Sequence, residues 1–318
     1  AKRRPCETPI LLPARQSIKK ARVRANYRSC HKRRSGRAGN RARATIPSPQ
    51  SFLQGGGVAV NRLQMAEMTS GGVTLAYDDI GPNERGRPIV LIHGFSSNRS
   101  ENWRRLGWYG AFERKNIRFI AYDARGHGES GKPHDPEAYA RDAMARDVIA
   151  LMDHLEIAKA DVMGFSMGAR TAIATAQMAP DRVDLLILGG VGGRLFEPPP
   201  PGNPMADAME AADPASIGEP ILRSFRQFAD EQGEDRLALA ACARAQNAPL
   251  TRDAVSAIGH EALVVAGSQD ELAGDPKALA AAMGNARAVT LPGCNHFSAI
   301  AHALYKAAVF DFLDGTLE

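Results

Sequence analysis

Two hydrophobic patterns alternate along most of this chain. One is a short, continuous apolar run; the other is a longer segment whose apolar residues recur every three or four positions. The first marks a strand covered on both faces, the second an amphipathic helix. Strands are predicted over 88–92 (Pro-Ile-Val-Leu-Ile), 117–122, 161–163, 183–188, 263–266 and 288–291. A further short strand over 72–77 is closed by a turn at Gly81-Pro82-Asn83. Helices are predicted over 103–113, 136–155, 169–178 and 299–313; in the second of these Met144, Val148, Leu151, Met152 and Leu155 share one stripe. Such alternation implies an α/β fold, a mostly parallel, doubly wound sheet covered on both faces, with ligands at the strands' carboxyl ends. The alternation breaks at about 194–257, where Pro198-Pro199-Pro200-Pro201 opens a helix-rich insertion with helices over 221–228 and 235–245. An insertion of that size after a central strand is expected to be a helical lid over the site.

Charge divides the chain in two. Of the 40 Lys and Arg, 16 fall in residues 1–64 against the single acid Glu7, a balance of +15; residues 65–318 hold 24 bases and 34 acids, a balance of −10. The first segment has no sustained apolar period and ends in Gly55-Gly56-Gly57, so it cannot bury enough surface to fold alone. Residues 1–64 therefore read as a basic, disordered leader, and 65–318 as the folded domain. Three origins stay open for the leader: an organelle-targeting segment, a basic arm for nucleic acid, or a non-native extension ahead of Met65 or Met68. The third leaves a cytoplasmic protein with no nucleic-acid partner. With 318 residues and 44% hydrophobic content, the chain is long enough for one large core. Cys6, Cys30, Cys242 and Cys294 have neither CxxC nor zinc spacing, which suits a reducing compartment and calls for no metal. No run of 18 apolar residues is present, so no membrane span is expected.

The chemistry concentrates at Gly164-Phe165-Ser166-Met167-Gly168, between the strand at 161–163 and the helix at 169–178. This G-x-S-x-G spacing places a serine on a turn so tight that a Cβ two residues to either side would collide with the adjoining strand or helix. The serine oxygen then stands exposed at the strand end, and the Met167 N–H at the helix start is free to bind an oxyanion. Serine is a poor nucleophile unless a base takes its proton and an acid orients that base. Asp270 follows the strand at 263–266, and His296 follows the strand at 288–291, both on the edge where Ser166 would open. Glu271 and Asp275 rival Asp270, whereas the loop after 183–188, Gly189 to Gly193, carries no carboxylate. The loop after 88–92 offers the Phe95 N–H as a second oxyanion donor, with His93 reading as a structural brace. One decoy is present: Gly126 to Gly131 matches G-x-G-x-x-G, yet Pro133 and Pro136 forbid the helix a dinucleotide would need, so no cofactor is called for.

Taken together, His93-Gly94-Phe95, Asp123 to Ser130, Gly164 to Gly168, Gly267-Ser268-Gln269-Asp270 and Gly293-Cys294-Asn295-His296 resemble the α/β-hydrolase superfamily across about residues 69–316. The resemblance implies a serine hydrolase acting on a small-molecule ester-like substrate through Ser166, Asp270 and His296, with Phe95 and Met167 as oxyanion donors. The superfamily also contains C–C bond hydrolases, cofactor-free perhydrolases and members that only bind ligands. The chain departs from the perhydrolases at Ala169-Arg170, where a further glycine is usual. Within the insertion, Met205, Met209, Ile217, Ile221, Leu222, Phe225 and Phe228 either line an apolar acyl pocket or pack the insertion's own core.

Overall fold

A computed structural model describes residues 66–82, 87–245 and 247–317. The basic leader inferred for residues 1–64 lies outside the described residues, as does Asn83 of the turn expected at 81–83. The sheet has eight strands: β1 (Ala66–Ser70), β2 (Val73–Ile80), β3 (Ile89–Ile92), β4 (Phe119–Tyr122), β5 (Ala160–Phe165), β6 (Val183–Gly189), β7 (Ala262–Gly267) and β8 (Ala286–Leu291). Their spatial order is β1-β2-β4-β3-β5-β6-β7-β8. The β1–β2 and β2–β4 pairs are antiparallel and the rest of the sheet is parallel.

Strand period decides the layers. Successive side chains point to opposite faces, so a continuous apolar run feeds two cores at once. On one face Val90, Ile92, Ile120, Val162, Leu186 and Val264 pack with Val148 and Leu151 of α2 (Arg141–His154) and with Ile173 of α3 (Met167–Met178). On the other, Ile89, Leu91, Phe119, Met163, Ile187 and Leu263 pack under Trp108 and Phe112 of α1 (Trp108–Arg114) and Tyr305 and Val309 of the final helix Ala303–Leu313. Each such side chain contributes roughly 1.5–3 kcal/mol on burial, which makes the two-faced strands the strongest stabilising elements of the fold.

Several helices differ from the sequence expectation for local reasons. The helix expected at 103–113 is split by Gly107, whose φ of 76° lies in the left-handed region; a single π turn precedes it and α1 follows. The helix expected at 136–155 begins at Arg141, because Pro136 heads a separate 3-10 turn capped by the Asp135 carboxylate. The hairpin strand β1 has no apolar run and no alternation strong enough to announce it; it exists by pairing with β2. Between β6 and β7 the chain forms α4 (Pro204–Glu210), α5 (Pro220–Gln232), α6 (Arg236–Arg244) and α7 (Arg252–Ser256). These helices lie within the stretch where the insertion is expected, and α4, α5 and α6 share a small core of their own around Met209, Phe225 and Leu239. After β7 come α8 (Pro276–Met283) and, beyond β8, the single turn α9 (His296–Ala299), so the final helix above is α10.

Candidate active site

The site is assembled where the strand order reverses. β3 has β4 on one side and β5 on the other, so the loops leaving β3 and β5 diverge and open a crevice at their carboxyl ends. Register sets their neighbourhood: Ile92 pairs with Gly164, which puts the loop of Gly94 and Phe95 beside Phe165 and Ser166. Ser166 has φ 55° and ψ −110°, a conformation costly for a residue with a side chain. It is held there by its own N–H donating to the Gly189 carbonyl at 2.7 Å and by α3 starting immediately after it. The flanking glycines are required by space. A Cβ on Gly164 would overlap the Gly168 carbonyl, and one on Gly168 would overlap the Ile92 carbonyl.

The three side chains separated in sequence meet at that turn. His296 Nε2 lies 2.9 Å from Ser166 Oγ, and His296 Nδ1 lies 3.0 and 2.9 Å from the two Asp270 carboxylate oxygens. A carboxylate only accepts, so Nδ1 carries the proton and Nε2 presents its lone pair to the serine hydroxyl. Asp270 also accepts the backbone N–H groups of Leu272 and Ala273 at 3.1 and 3.0 Å, and its side chain is fully buried. The rival Asp275 is spoken for: it caps α8 by accepting the Lys277 N–H. His296 itself opens α9, whose Asn295 and Ser298 form a reciprocal capping box that fixes the entry of the loop.

Around the serine, the backbone N–H groups of Phe95 and Met167 have no acceptor among the described residues. The Phe95 loop is braced from below. Asn102 Oδ1 accepts the Gly94 N–H at 3.1 Å; His93 donates from Nδ1 to the Gly94 carbonyl at 2.8 Å and accepts the Ala124 N–H at Nε2. These bonds fix His93 as neutral, and burial holds its pKa down at about 4. His127, 5.2 Å away, donates from Nδ1 to the Arg125 carbonyl and is lowered to about 3 by burial and then by His93. Asn102 was invisible to sequence reasoning, since an asparagine in a helical turn has no signature.

The segment from Asp123 to Ser130 proves architectural. Asp123 receives the Arg99 guanidinium and the backbone N–H groups of Arg99 and Glu129. Arg125 grips Asp147 of α2 with two bonds of 2.7 and 2.6 Å, and Ser130 Oγ accepts the Ala76 N–H from β2. The glycine decoy therefore forms a turn packed on the sheet, followed by no helix before the Pro136 3-10 turn.

Two cavities meet at the serine. The first, about 630 Å³, runs from Gly94, Phe95, Ser166 and His296 between Leu106, Phe297 and Ile300 below and Phe225 and Phe228 of α5 above. The second, about 390 Å³, leaves the serine on the other side and passes Met167, Met205 and Cys242. Phe225 lies between them, its ring 6.1 Å from that of Phe95 and 6.2 Å from that of His296. The apolar insertion residues thus divide: Phe228 faces a cavity, Met205 and Phe225 face the cavities and also pack with the insertion's own core, Met209 is buried in that core and Ile221 packs against it. Ile217 and Leu222 line neither cavity. Among the described residues no group of three or more His, Cys, Asp and Glu is disposed to hold a metal, and no helix is long and apolar enough to cross a membrane.

A sequence profile of the alpha/beta hydrolase family matches residues 89–308. That stretch carries β3 through most of α10, hence the whole of the assembly just described. The chain belongs to the alpha/beta hydrolase family. Among relatives, this chain is 34% identical over 250 residues to the dihydrolipoyllysine-residue acetyltransferase component of the acetoin cleaving system of Pseudomonas putida, covering 73% of the chain and 64% of that protein. It is 30% identical to the 2-hydroxymuconate semialdehyde hydrolase of Pseudomonas sp. (strain CF600), covering 78% of the chain and 93% of that protein. Among solved structures, the enol-lactonase from Burkholderia xenovorans LB400 superposes with a TM-score of 0.65 at 26% identity, covering 78% of this chain and 100% of that one. The chain thus spans less than two thirds of the first of these relatives and nearly all of the second.

Proposed function

We propose that the hydrolase cleaves ester-like bonds, in carboxylic esters or lactones, through an acyl-enzyme formed on Ser166. The observation that carries this reading is the unbroken chain Ser166 Oγ, His296, Asp270, each link 2.9 to 3.0 Å long, beside two unpartnered backbone N–H groups. His296 Nε2 takes the serine proton as Oγ attacks the carbonyl carbon. The carbonyl oxygen gains the negative charge and receives the N–H groups of Phe95 and Met167. Asp270 holds His296 in the right tautomer and stabilises its imidazolium. The imidazolium then returns its proton to the leaving alkoxide, the alcohol departs, and water attacks the acyl-enzyme by the same route to release the acid. The first cavity, walled by Leu106, Phe228, Phe297 and Ile300, suits an apolar part of the substrate.

The test is hydrolysis of p-nitrophenyl esters of increasing chain length, with labelling by a fluorophosphonate probe. Ser166→Ala should lose both the label and at least roughly 10⁴-fold in kcat. A label that persists in Ser166→Ala would place the nucleophile elsewhere. Binding of probe esters without turnover would return the chain to the ligand-binding members of the fold. A second reading, C–C bond hydrolysis, is favoured by the 2-hydroxymuconate semialdehyde hydrolase relative, which the chain covers almost completely. Turnover of 2-hydroxymuconate semialdehyde exceeding that of every ester would prefer it.

A further inference from the structure

The second cavity differs from the first in its charge. Its wall carries two guanidinium groups, Arg141 and Arg170, and no carboxylate. The first cavity carries Glu101 and Glu231, with Arg105 already paired to Glu101 at 3.0 Å. Among the described residues neither Arg141 nor Arg170 forms an ion pair. The buried arginines Arg99, Arg125 and Arg226 are each paired with an aspartate, whereas Arg141 is half-buried and Arg170 exposed.

Both arginines stand on well-defined elements beside the serine. Arg170 sits one helical turn beyond Ser166, its backbone N–H donating to the Ser166 carbonyl at 3.2 Å. Its side chain keeps contact with solvent while protein atoms crowd it, the situation of a group standing in a crevice. Arg141 opens α2 and is tied to the segment after α6: its N–H donates to Asn247 Oδ1 at 2.8 Å and its guanidinium to the Ala248 carbonyl. Asn247 is itself on the cavity wall. The Arg170 guanidinium is held below its ordinary pKa, first by desolvation and then by the positive charge of Arg141. Both side chains line the same partly enclosed cavity, with donors left over on each.

We propose that this wall recognises a carboxylate on the substrate, so that the favoured substrates carry a carboxylate in the part that occupies the second cavity. The proposal rests on the reading of Ser166 as nucleophile and narrows it to anionic esters or lactones. An anion between the two guanidinium groups replaces one repulsion by two attractions, and a planar carboxylate matches the guanidinium fork. Glu101 and Glu231 disfavour the same group in the first cavity, so the charge also fixes which end of the substrate lies on which side of Ser166.

The experiment compares two esters with the same leaving group, p-nitrophenyl butyrate and the p-nitrophenyl half-ester of glutaric acid, on the full chain. The wild type should prefer the half-ester in kcat/KM. Arg170→Met should lower that preference by roughly 10- to 100-fold, the range of one charge-assisted hydrogen bond, and Arg170→Lys should restore part of it. A second arm needs no turnover: calorimetric binding of glutarate to Ser166→Ala, expected to be lost when Arg141→Met or Arg170→Met is added. No preference in the wild type together with no glutarate binding overturns the subsite. Glutarate binding that depends on both arginines, in a protein that turns over neither ester, upholds the subsite while refuting Ser166 as an ester nucleophile.

Discussion

At the sheet edge, the groups around Ser166 are positioned by backbone. The serine's φ of 55°, the Gly164 and Gly168 approaches, and the Ile92–Gly164 register each follow from strand ends that cannot move without breaking the sheet. Across the cavity, the insertion is positioned by side chains. Its small core is built on Met209, Phe225, Ala229 and Leu239, and one buried guanidinium, Arg226, joins two of its helices. That group donates to the carbonyls of Ala208 and Ala211 at 3.0 and 2.6 Å while pairing with Asp230 at 3.0 Å. The difference teaches which half defines the reaction and which half can drift. A site held by backbone tolerates little substitution, whereas a wall held by a few side chains can be re-cut for another substrate without loss of the fold.

The sharpest way to break the comparison is Gly168→Ala. Its methyl would overlap the Ile92 carbonyl, and the strand that would have to yield is central to the sheet. The expected cost is about 3 kcal/mol, the upper part of the range for overpacking, with a kcat loss of roughly 10²-fold as Ser166 is displaced from His296. Chemical denaturation and ester kinetics read the two effects. An unaltered midpoint with full activity would mean that the elbow is softer than its contacts imply.

A second test uses acid, because the same edge depends on two histidines that must stay neutral. Burial lowers His93 to about 4 and His127 to about 3, against about 6.5 in the unfolded chain. The unfolded state therefore takes up protons below pH 6.5 that the native state refuses. Stability contributed by these groups is present above that pH and is lost as the pH falls toward 4. At pH 5 the loss should be roughly 2 kcal/mol per histidine relative to pH 7.5. Urea midpoints across that interval measure it. His127→Asn, whose Nδ2 stands where Nδ1 donates to the Arg125 carbonyl, should remove about half of the slope.

How much of this was legible in sequence follows the same division. Runs such as Ile89 to Ile92 and Leu263 to Ala266 announce strands because both faces are buried; Ser166 and Asp270 follow such runs, whereas His296 follows the half-buried edge strand β8, and the three side chains meet in the structure. β1 was not, since Ala-Glu-Met-Thr-Ser has no pattern apart from its partner. The split at Gly107 and the delayed start of α2 depend on one glycine's φ and one proline's ring, which periodicity averages over. Asn102 and Arg141 escaped for a different reason. Asn102 braces Gly94 from only eight residues along the chain and Arg141 lines the second cavity from the start of α2, both through contacts that only folding creates.

On the insertion side the expected effects are smaller and local. Arg226→Met removes the donor shared by the Ala208 and Ala211 carbonyls and should cost about 1.5 kcal/mol. If the insertion is held independently, that loss shows as faster proteolytic cleavage within 204–244, with the main unfolding transition nearly unmoved. A full shift of the main transition would instead make the insertion part of the sheet's cooperative unit.

The finest cut is Phe225→Leu, at the ring that separates the two cavities. Phe225 packs against Phe95, His296 and Phe297, and its truncation opens space where the two cavities meet without touching the sheet. The preferred acyl chain should lengthen, with kcat/KM for the longer p-nitrophenyl esters rising up to about tenfold relative to butyrate, within the range for small changes in an apolar pocket. The fluorophosphonate labelling rate should stay close to that of the wild type, because Ser166 and His296 keep their backbone supports. A fall in labelling equal to the change in selectivity would show that Phe225 also fixes the imidazole, and the insertion would then belong to the reacting half of the molecule.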